Sequence, residues 1–135
     1  MGDLLGNAAR FGVVDDVLAA GEGVETMLSL RCVLPTMPMA AALSANHLSA
    51  MLLPPGLRRL YIARDADAAG DRAHAVLTQR AADAGIEAIA LSPRLGDFNE
   101  DLRIFGLDAL RTALRIQLAP EDLARFLHAS TVAGG

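Results

Sequence analysis

Apolar and polar positions along the chain fall into two periods. Residues 15–21 end in a continuous apolar run, Val17-Leu18-Ala19-Ala20, that stops at Gly21 with Glu22-Gly23 at the turn, and this predicts a strand. Between 24 and 34 the apolar positions Val24, Met27, Leu28 and Leu30, with Arg31 opposite, predict a helix closed by Pro35. The small-residue run 39–43 predicts a second strand, and 44–52 a short helix before Pro54-Pro55-Gly56. Residues 58–63 enter β-forming side chains from two arginines and predict a third strand, ending at Arg64-Asp65. A long helix over 68–84 follows, with Ala73, Val76, Leu77 and Ala81 on one face and Gly85 at its C-terminal end. Residues 86–91 predict a fourth strand, 94–101 a loop, and 107–118 and 121–128 two helices separated by Pro120. Residues 3–11 read as a short, weakly helical lead-in.

Strands alternating with helices predict an α/β fold with a mostly parallel sheet of about four strands covered on both faces, because parallel neighbours need a crossover helix. The 135-residue length fits one compact domain, and 53% hydrophobic against 21% charged residues excludes a disordered chain. One cysteine, Cys32, excludes an internal disulfide and a mainly cysteine zinc site. Neither a signal peptide nor a membrane span is visible in the pattern, so the expectation is a cytoplasmic protein. Net charge is −4, and all 12 basic side chains are arginine. Lysine chemistry, such as a Schiff base or a Walker-type phosphate grip, is thereby excluded. A mildly acidic domain also binds nucleic acid poorly by itself, so arginines, metal ions or a neighbouring domain must supply the attraction.

In parallel sheets the ligand site lies beyond the carboxyl ends of the strands. Three acidic positions fall there: Glu22 after the first predicted strand, Asp65 with Asp67 after the third, and Asp97 after the fourth. A single acidic loop residue is usually just solvated. Several carboxylates at one edge repel unless a cation neutralises them, and oxygen-only ligands favour magnesium or manganese over zinc. The D-x-D pair on a turn between a strand and a long helix suits metal binding.

Glu22-Gly23, Asp65-Ala66-Asp67-Ala68-Ala69-Gly70 and Gly96-Asp97-Phe98-Asn99, in this order and spacing, resemble a Toprim domain. That is the catalytic domain shared by bacterial primases, topoisomerases and some nucleases. The likeness is greatest to the primase or primase-helicase proteins of phages, plasmids and other mobile elements. It implies a Toprim-like Rossmannoid fold over 15–105, after an N-terminal lead-in (1–14) and before a C-terminal helical extension (106–135). It also implies Glu22 as general acid/base or metal ligand, Asp65 and Asp67 as ligands of Mg2+ or Mn2+, and Asp97 as an additional ligand. Gly23 and Gly70 then serve the turns.

Departures from the primase pattern accompany these matches. Thr26 stands where bacterial primases commonly carry an aspartate, and Asp97-Phe98-Asn99 stands in place of D-P-D, so one metal site is supported better than two. Without lysine, phosphate contact falls to Arg64, Arg72 and Arg94; the plainer reading pairs Arg64 with acidic neighbours and Arg72 with Asp71 or solvent. Tyr61, inside a strand, reads as core rather than nucleophile. His47, His74 and His128 show no metal-ligand spacing, with His47 a possible helix cap; Cys32 reads as buried, and Met27, Met37, Met39 and Met51 as core filling.

The expected activity is metal-dependent phosphoryl or nucleotidyl transfer, as in primer synthesis from nucleoside triphosphates on single-stranded DNA. Zinc-binding and helicase domains or partners are then expected elsewhere, with this chain a part of a longer protein or a small protein acting with them. A Toprim nuclease with water as nucleophile and a non-catalytic DNA- or protein-binding module are the alternatives. A receiver domain fails for want of its lysine, and an EF-hand because Ala69 stands where a third ligand belongs.

Overall fold

The computed structural model describes residues 9–12, 14–65 and 68–127. Its elements are β1 (Ala9–Phe11), β2 (Val17–Gly21), α1 (Val24–Val33), β3 (Met39–Ala41), α2 (Ala45–Ser49), β4 (Arg59–Ala63), α3 (Ala68–Asp83), β5 (Glu87–Leu91), α4 (Phe98–Phe105), α5 (Leu107–Arg115) and α6 (Pro120–Phe126). The strands form one sheet in the order β1-β3-β2-β4-β5. β3, β2, β4 and β5 run parallel, and β1 pairs antiparallel with β3 at one edge.

Strand side chains alternate between two faces, so the near-continuous apolar runs feed two cores. Val17, Ala19, Met39, Ala41, Tyr61 and Ala63 enter the first core, with Met27 and Leu30 of α1, Phe98 of α4, Leu110 and Leu114 of α5, and Phe126 of α6. Leu18, Ala20, Ala40, Leu60 and Ile62 enter the second, under Leu48 of α2 and Ala73, Leu77 and Ala81 of α3. The four methionines named above are buried, as the pattern predicts. Gly85, at φ +77°, supplies the left-handed residue that ends α3 and lets Ile86 N–H reach the Ala81 carbonyl at 2.8 Å.

Several local expectations give way to tertiary structure. Residues 9–11 are an edge strand rather than helix, because β3 offers them a ladder partner; the rest of that lead-in, 3–8, lies outside the described residues. The stretch read as loop contains α4, nucleated by Asp97. On α1, Leu28 is 44% exposed while Thr26 and Ser29 are buried, so the helix turns by about one position from its apolar reading. The same rotation leaves Cys32 exposed rather than buried. Val76 is likewise exposed on α3. The cap of α2 is Ser44, whose Oγ accepts from His47 N–H at 3.1 Å, not His47 itself.

At the amino edge of the sheet, α6 is tied down by ions. Arg59, 5% exposed, donates to Glu87 at 3.0 Å, Glu121 at 3.2 Å and the fully buried Asp122 at 3.0 Å. The Tyr61 hydroxyl donates to Asp122 and accepts Ala119 N–H at 2.9 Å. Burial and that bond to Asp122 raise the Tyr61 phenol well above its ordinary value, which keeps it neutral. Burial alone would lower the Arg59 guanidinium; the bond to Glu87 and the Asp122 charge outweigh it and hold Arg59 charged. Arg125 closes the edge with bonds of 2.9 and 3.1 Å to Asp16, whose carboxyl is held below its ordinary range chiefly by that bond.

Candidate functional site

β2 leads through α1 on the first face to β3, whereas β4 leads through α3 on the second face to β5. The chain therefore diverges between the carboxyl ends of the adjacent strands β2 and β4, the place where parallel sheets open a crevice. Ala20 is in register with Ile62, so Glu22 and Asp65 leave neighbouring strands at nearly the same level. The sheet thus brings together the ends that carry the first two acidic motifs.

Local packing fixes both turns. A Cβ on Gly21 would lie 2.6 Å from Met27 Sδ and 3.2 Å from Ala63 Cβ, so a side chain at the end of β2 would require the Met27 thioether to move and Ala63 to give way. Gly23 has an ordinary extended backbone at φ −103° and open space around it, and it begins α1 as the N-cap. Ala42 and Leu43 N–H groups bond the Gly21 and Glu22 carbonyls at 2.8 and 2.7 Å, which pins the Glu22 turn to the exit of β3. Leu43 makes that bond at φ +78°, in the left-handed region a leucine rarely adopts. From α1, the Thr26 hydroxyl donates to Asp65 Oδ1 at 3.3 Å. Thr26 therefore positions a carboxylate where the primase pattern would supply one. Asp67 lies outside the described residues, as does His128; Gly70 is buried in the first turn of α3.

Arg64 Nη2 lies 2.6 Å from Asp71 Oδ1, the acidic pairing of the plainer reading. Beside this pair, burial and the Arg64 charge hold the His74 imidazole below its ordinary value, with Asp71 partly opposing. A cleft of about 180 Å3 opens between the carboxyl ends of β4 and β5, lined by Arg64, Asp65, Ser92, Pro93 and Leu95. Arg72 is exposed on α3. Arg94 places its guanidinium 4.1 Å from the centre of the Phe105 ring and remains exposed.

The Asp97 carboxylate has a structural task. Its Oδ1 accepts Glu100 N–H at 2.8 Å as the N-cap of α4, and Glu100 Oε1 accepts Gly96 N–H at 3.2 Å. Asp101, 2% exposed, accepts the Arg94 and Leu95 N–H groups at 2.7 and 2.8 Å and shapes the wall of the cleft. The spacing Asp97-x-x-Glu100 is a capping-box signature that predicts this helix start. Ser29 and Asn99 join α1 to α4 through a 3.3 Å hydrogen bond. Among the described residues, no three His, Cys, Asp or Glu side chains gather closely enough to hold a metal ion.

The Toprim domain family model matches residues 17–108, most of the chain. The chain belongs to the Toprim domain family. Among solved structures, a DNA primase domain from Pseudomonas aeruginosa matches with TM-score 0.53 at 20% identity, over 76% of this chain and 33% of that one. The Aquifex aeolicus primase, zinc-binding and RNA polymerase domains, matches with TM-score 0.51 at 22% identity, over 76% of this chain and 26% of that one. The chain thus spans a third or less of the length of these primase structures, and at this identity the likeness is one of fold. No curated protein matches it.

Toprim domains generally bind divalent metal ions. The donor chemistry here fits: Glu22 and Asp65 offer only oxygen at the divergent strand ends, and the Thr26 bond holds Asp65 in place. Magnesium is commonly held by one or two carboxylates plus waters and substrate phosphates, so an open Toprim edge does not require a closed protein cage. Among the described residues, no helix is long and apolar enough to cross a membrane.

Proposed function

We propose that this Toprim domain catalyses metal-dependent nucleotidyl transfer on nucleic acid, as the catalytic part of a DNA primase that makes primers from nucleoside triphosphates on single-stranded DNA. The observation that carries the reading is the placement of Glu22 and Asp65 at the ends of adjacent parallel strands where the connections diverge. The likeness of fold to primase structures is what favours primer synthesis among Toprim activities in this proposal.

In this proposal Asp65 and Asp67 hold Mg2+ or Mn2+, with Asp97 contributing beside its capping role. The metal supplies charge stabilisation at the transferring phosphoryl group. Glu22 takes the proton from the attacking hydroxyl or joins the ligands. Thr26 keeps Asp65 oriented by its hydrogen bond. Arg64, Arg72 and Arg94 meet phosphate; for Arg64 this requires the incoming phosphate to compete with Asp71. Gly23 and Gly70 serve the turns that carry the carboxylates. Residues 15–105 form the catalytic unit and 106–135 its extension, whose α5 and α6 complete the first core. Template selection and unwinding fall to zinc-binding and helicase domains or partners, in the cytoplasm, for the replicon of a phage, plasmid or other mobile element.

The test is magnesium and manganese titration calorimetry of the native chain and of an Asp65→Ala, Asp67→Ala double variant, followed by product analysis on single-stranded DNA with nucleoside triphosphates. Binding lost in the double variant, with new oligonucleotides as product, supports the proposal. Shortened DNA would assign a nuclease instead, and undiminished metal binding in the variant would remove the assignment of D-x-D.

A further inference from the structure

Among the described residues, β5 is an edge strand with no strand on its outer side. Glu87 N–H bonds the Arg58 carbonyl and Arg64 N–H bonds the Leu91 carbonyl, both at 2.9 Å, so residues 87, 89 and 91 turn their backbone groups toward β4. By the alternation of a parallel ladder, Ala88, Ala90 and Ser92 turn theirs outward. The Gln117 side chain satisfies Ser92, accepting its N–H at 2.7 Å and donating to its carbonyl at 3.2 Å. Among the described residues, none bonds the outward groups of Ala88 or Ala90.

Among the described residues this edge has few of the usual protections: Glu87 is its one charge, and Gln117 covers only its carboxyl end. Soluble proteins blunt edges with lysine, proline, a bulge or a covering element. Here the chain has no lysine, β5 reads Glu-Ala-Ile-Ala-Leu, and its ladder runs to β4 on the inner side, with Leu91 and Ile89 packed on the first core and Ala88 on the second. Ala88, Ile89 and Ala90 are each partly exposed, and Ile116, adjoining the Gln117 plug, is 84% exposed. A large bare apolar side chain therefore stands beside an open backbone ladder.

We propose that this edge pairs antiparallel with β5 of a second copy of the chain, about a twofold axis through Ile89. The strand is self-complementary about that residue. Ala88 meets Ala90 of the other copy, and Ala90 meets its Ala88, so every outward donor and acceptor of the two residues finds a partner across the axis. Glu87, the one charged residue of β5, falls opposite Leu91 of the second copy rather than opposite another Glu87, so no like charges face each other. The Gln117 plug at Ser92 stops the pairing at the carboxyl end. Two five-stranded sheets thereby join as one, leaving the carboxyl ends of β2 and β4 untouched.

Sedimentation velocity of the full chain over a concentration series tests this, with Ala90→Pro as the variant. Proline at 90 removes an outward N–H and spares the bonds to β4, and strand edges accept it. The expected result is a concentration-dependent dimer whose dissociation constant rises at least tenfold in Ala90→Pro, with an unchanged circular dichroism spectrum. A native chain that stays monomeric, or a dimer that Ala90→Pro leaves intact, overturns the proposal. If Ala90→Pro does not fold, hydrogen exchange of the native chain decides. Ala88 and Ala90 amides that slow as concentration rises support the pairing, and rates independent of concentration overturn it.

Discussion

Leu43 shows most directly how a single residue bears on the site. Its N–H holds the Glu22 carbonyl at 2.7 Å, yet it does so at φ +78° with a side chain 53% exposed, so no buried contact repays the strain. Such conformations cost about 1–3 kcal/mol in non-glycine residues and gather at functional positions. Asparagine tolerates the left-handed region, so Leu43→Asn is expected to stabilise the fold by about 1 kcal/mol, read as a higher melting temperature. Leu43→Val, β-branched, is expected to lower it. His74 makes a second prediction. Its folded pKa lies below the ordinary 6.5, so the folded state binds fewer protons than the unfolded chain. Stability from this group is full above pH 6.5 and is lost as pH falls through the lowered value. Urea midpoints measured from pH 7.5 to 5 should fall for the native chain and fall less for His74→Gln.

Among the elements, α6 depends on a few buried polar atoms more than its seven residues would imply. Removing one partner from a buried ionic cluster leaves the other charge uncompensated, which costs about 3–5 kcal/mol. Asp122→Ala should therefore cost about 3 kcal/mol, the low end, because Arg59 keeps Glu87 and Glu121, and should lower the melting temperature by on the order of 10 °C. None of this network was legible in the sequence, since Arg59, Tyr61 and Asp122 are brought together only by tertiary structure. The parallel strands were legible because β2, β4 and β5 are short apolar runs bounded by glycine or charge. The helix α4 was hidden because Asp97 invites a reading as a metal ligand in a loop when its carboxylate also caps a helix, with Glu100 completing the cap. The rotation of α1 was hidden for a related reason: Thr26 and Ser29 are buried to bond Asp65 and Asn99, and hydropathy assigns hydroxyls to the surface.

Across the whole molecule, the two edges of the sheet divide the labour. The carboxyl edge carries Glu22 and Asp65 at the ends of adjacent strands, with Asp65 lining an open cleft, and the amino edge gathers Arg59, Asp122, Asp16 and Arg125 into a latch that fastens α6. A five-residue strand rises about 17 Å, longer than the screening distance of about 8 Å at physiological salt, so charges at one edge act weakly on the other. Substitutions at the two edges should therefore separate. Asp122→Ala should lower the melting temperature while leaving the magnesium dissociation constant within about twofold, measured by calorimetry at a temperature where the variant is folded. Asp65→Ala should weaken magnesium binding at least tenfold, because it removes an oxygen donor that the Thr26 hydroxyl holds in place. If Asp122→Ala instead weakened magnesium binding as strongly as Asp65→Ala, the latch would have to set the geometry of the opposite edge through β4. The strand that carries Arg59 and Tyr61 at one end and delivers Asp65 at the other would then be part of the site itself.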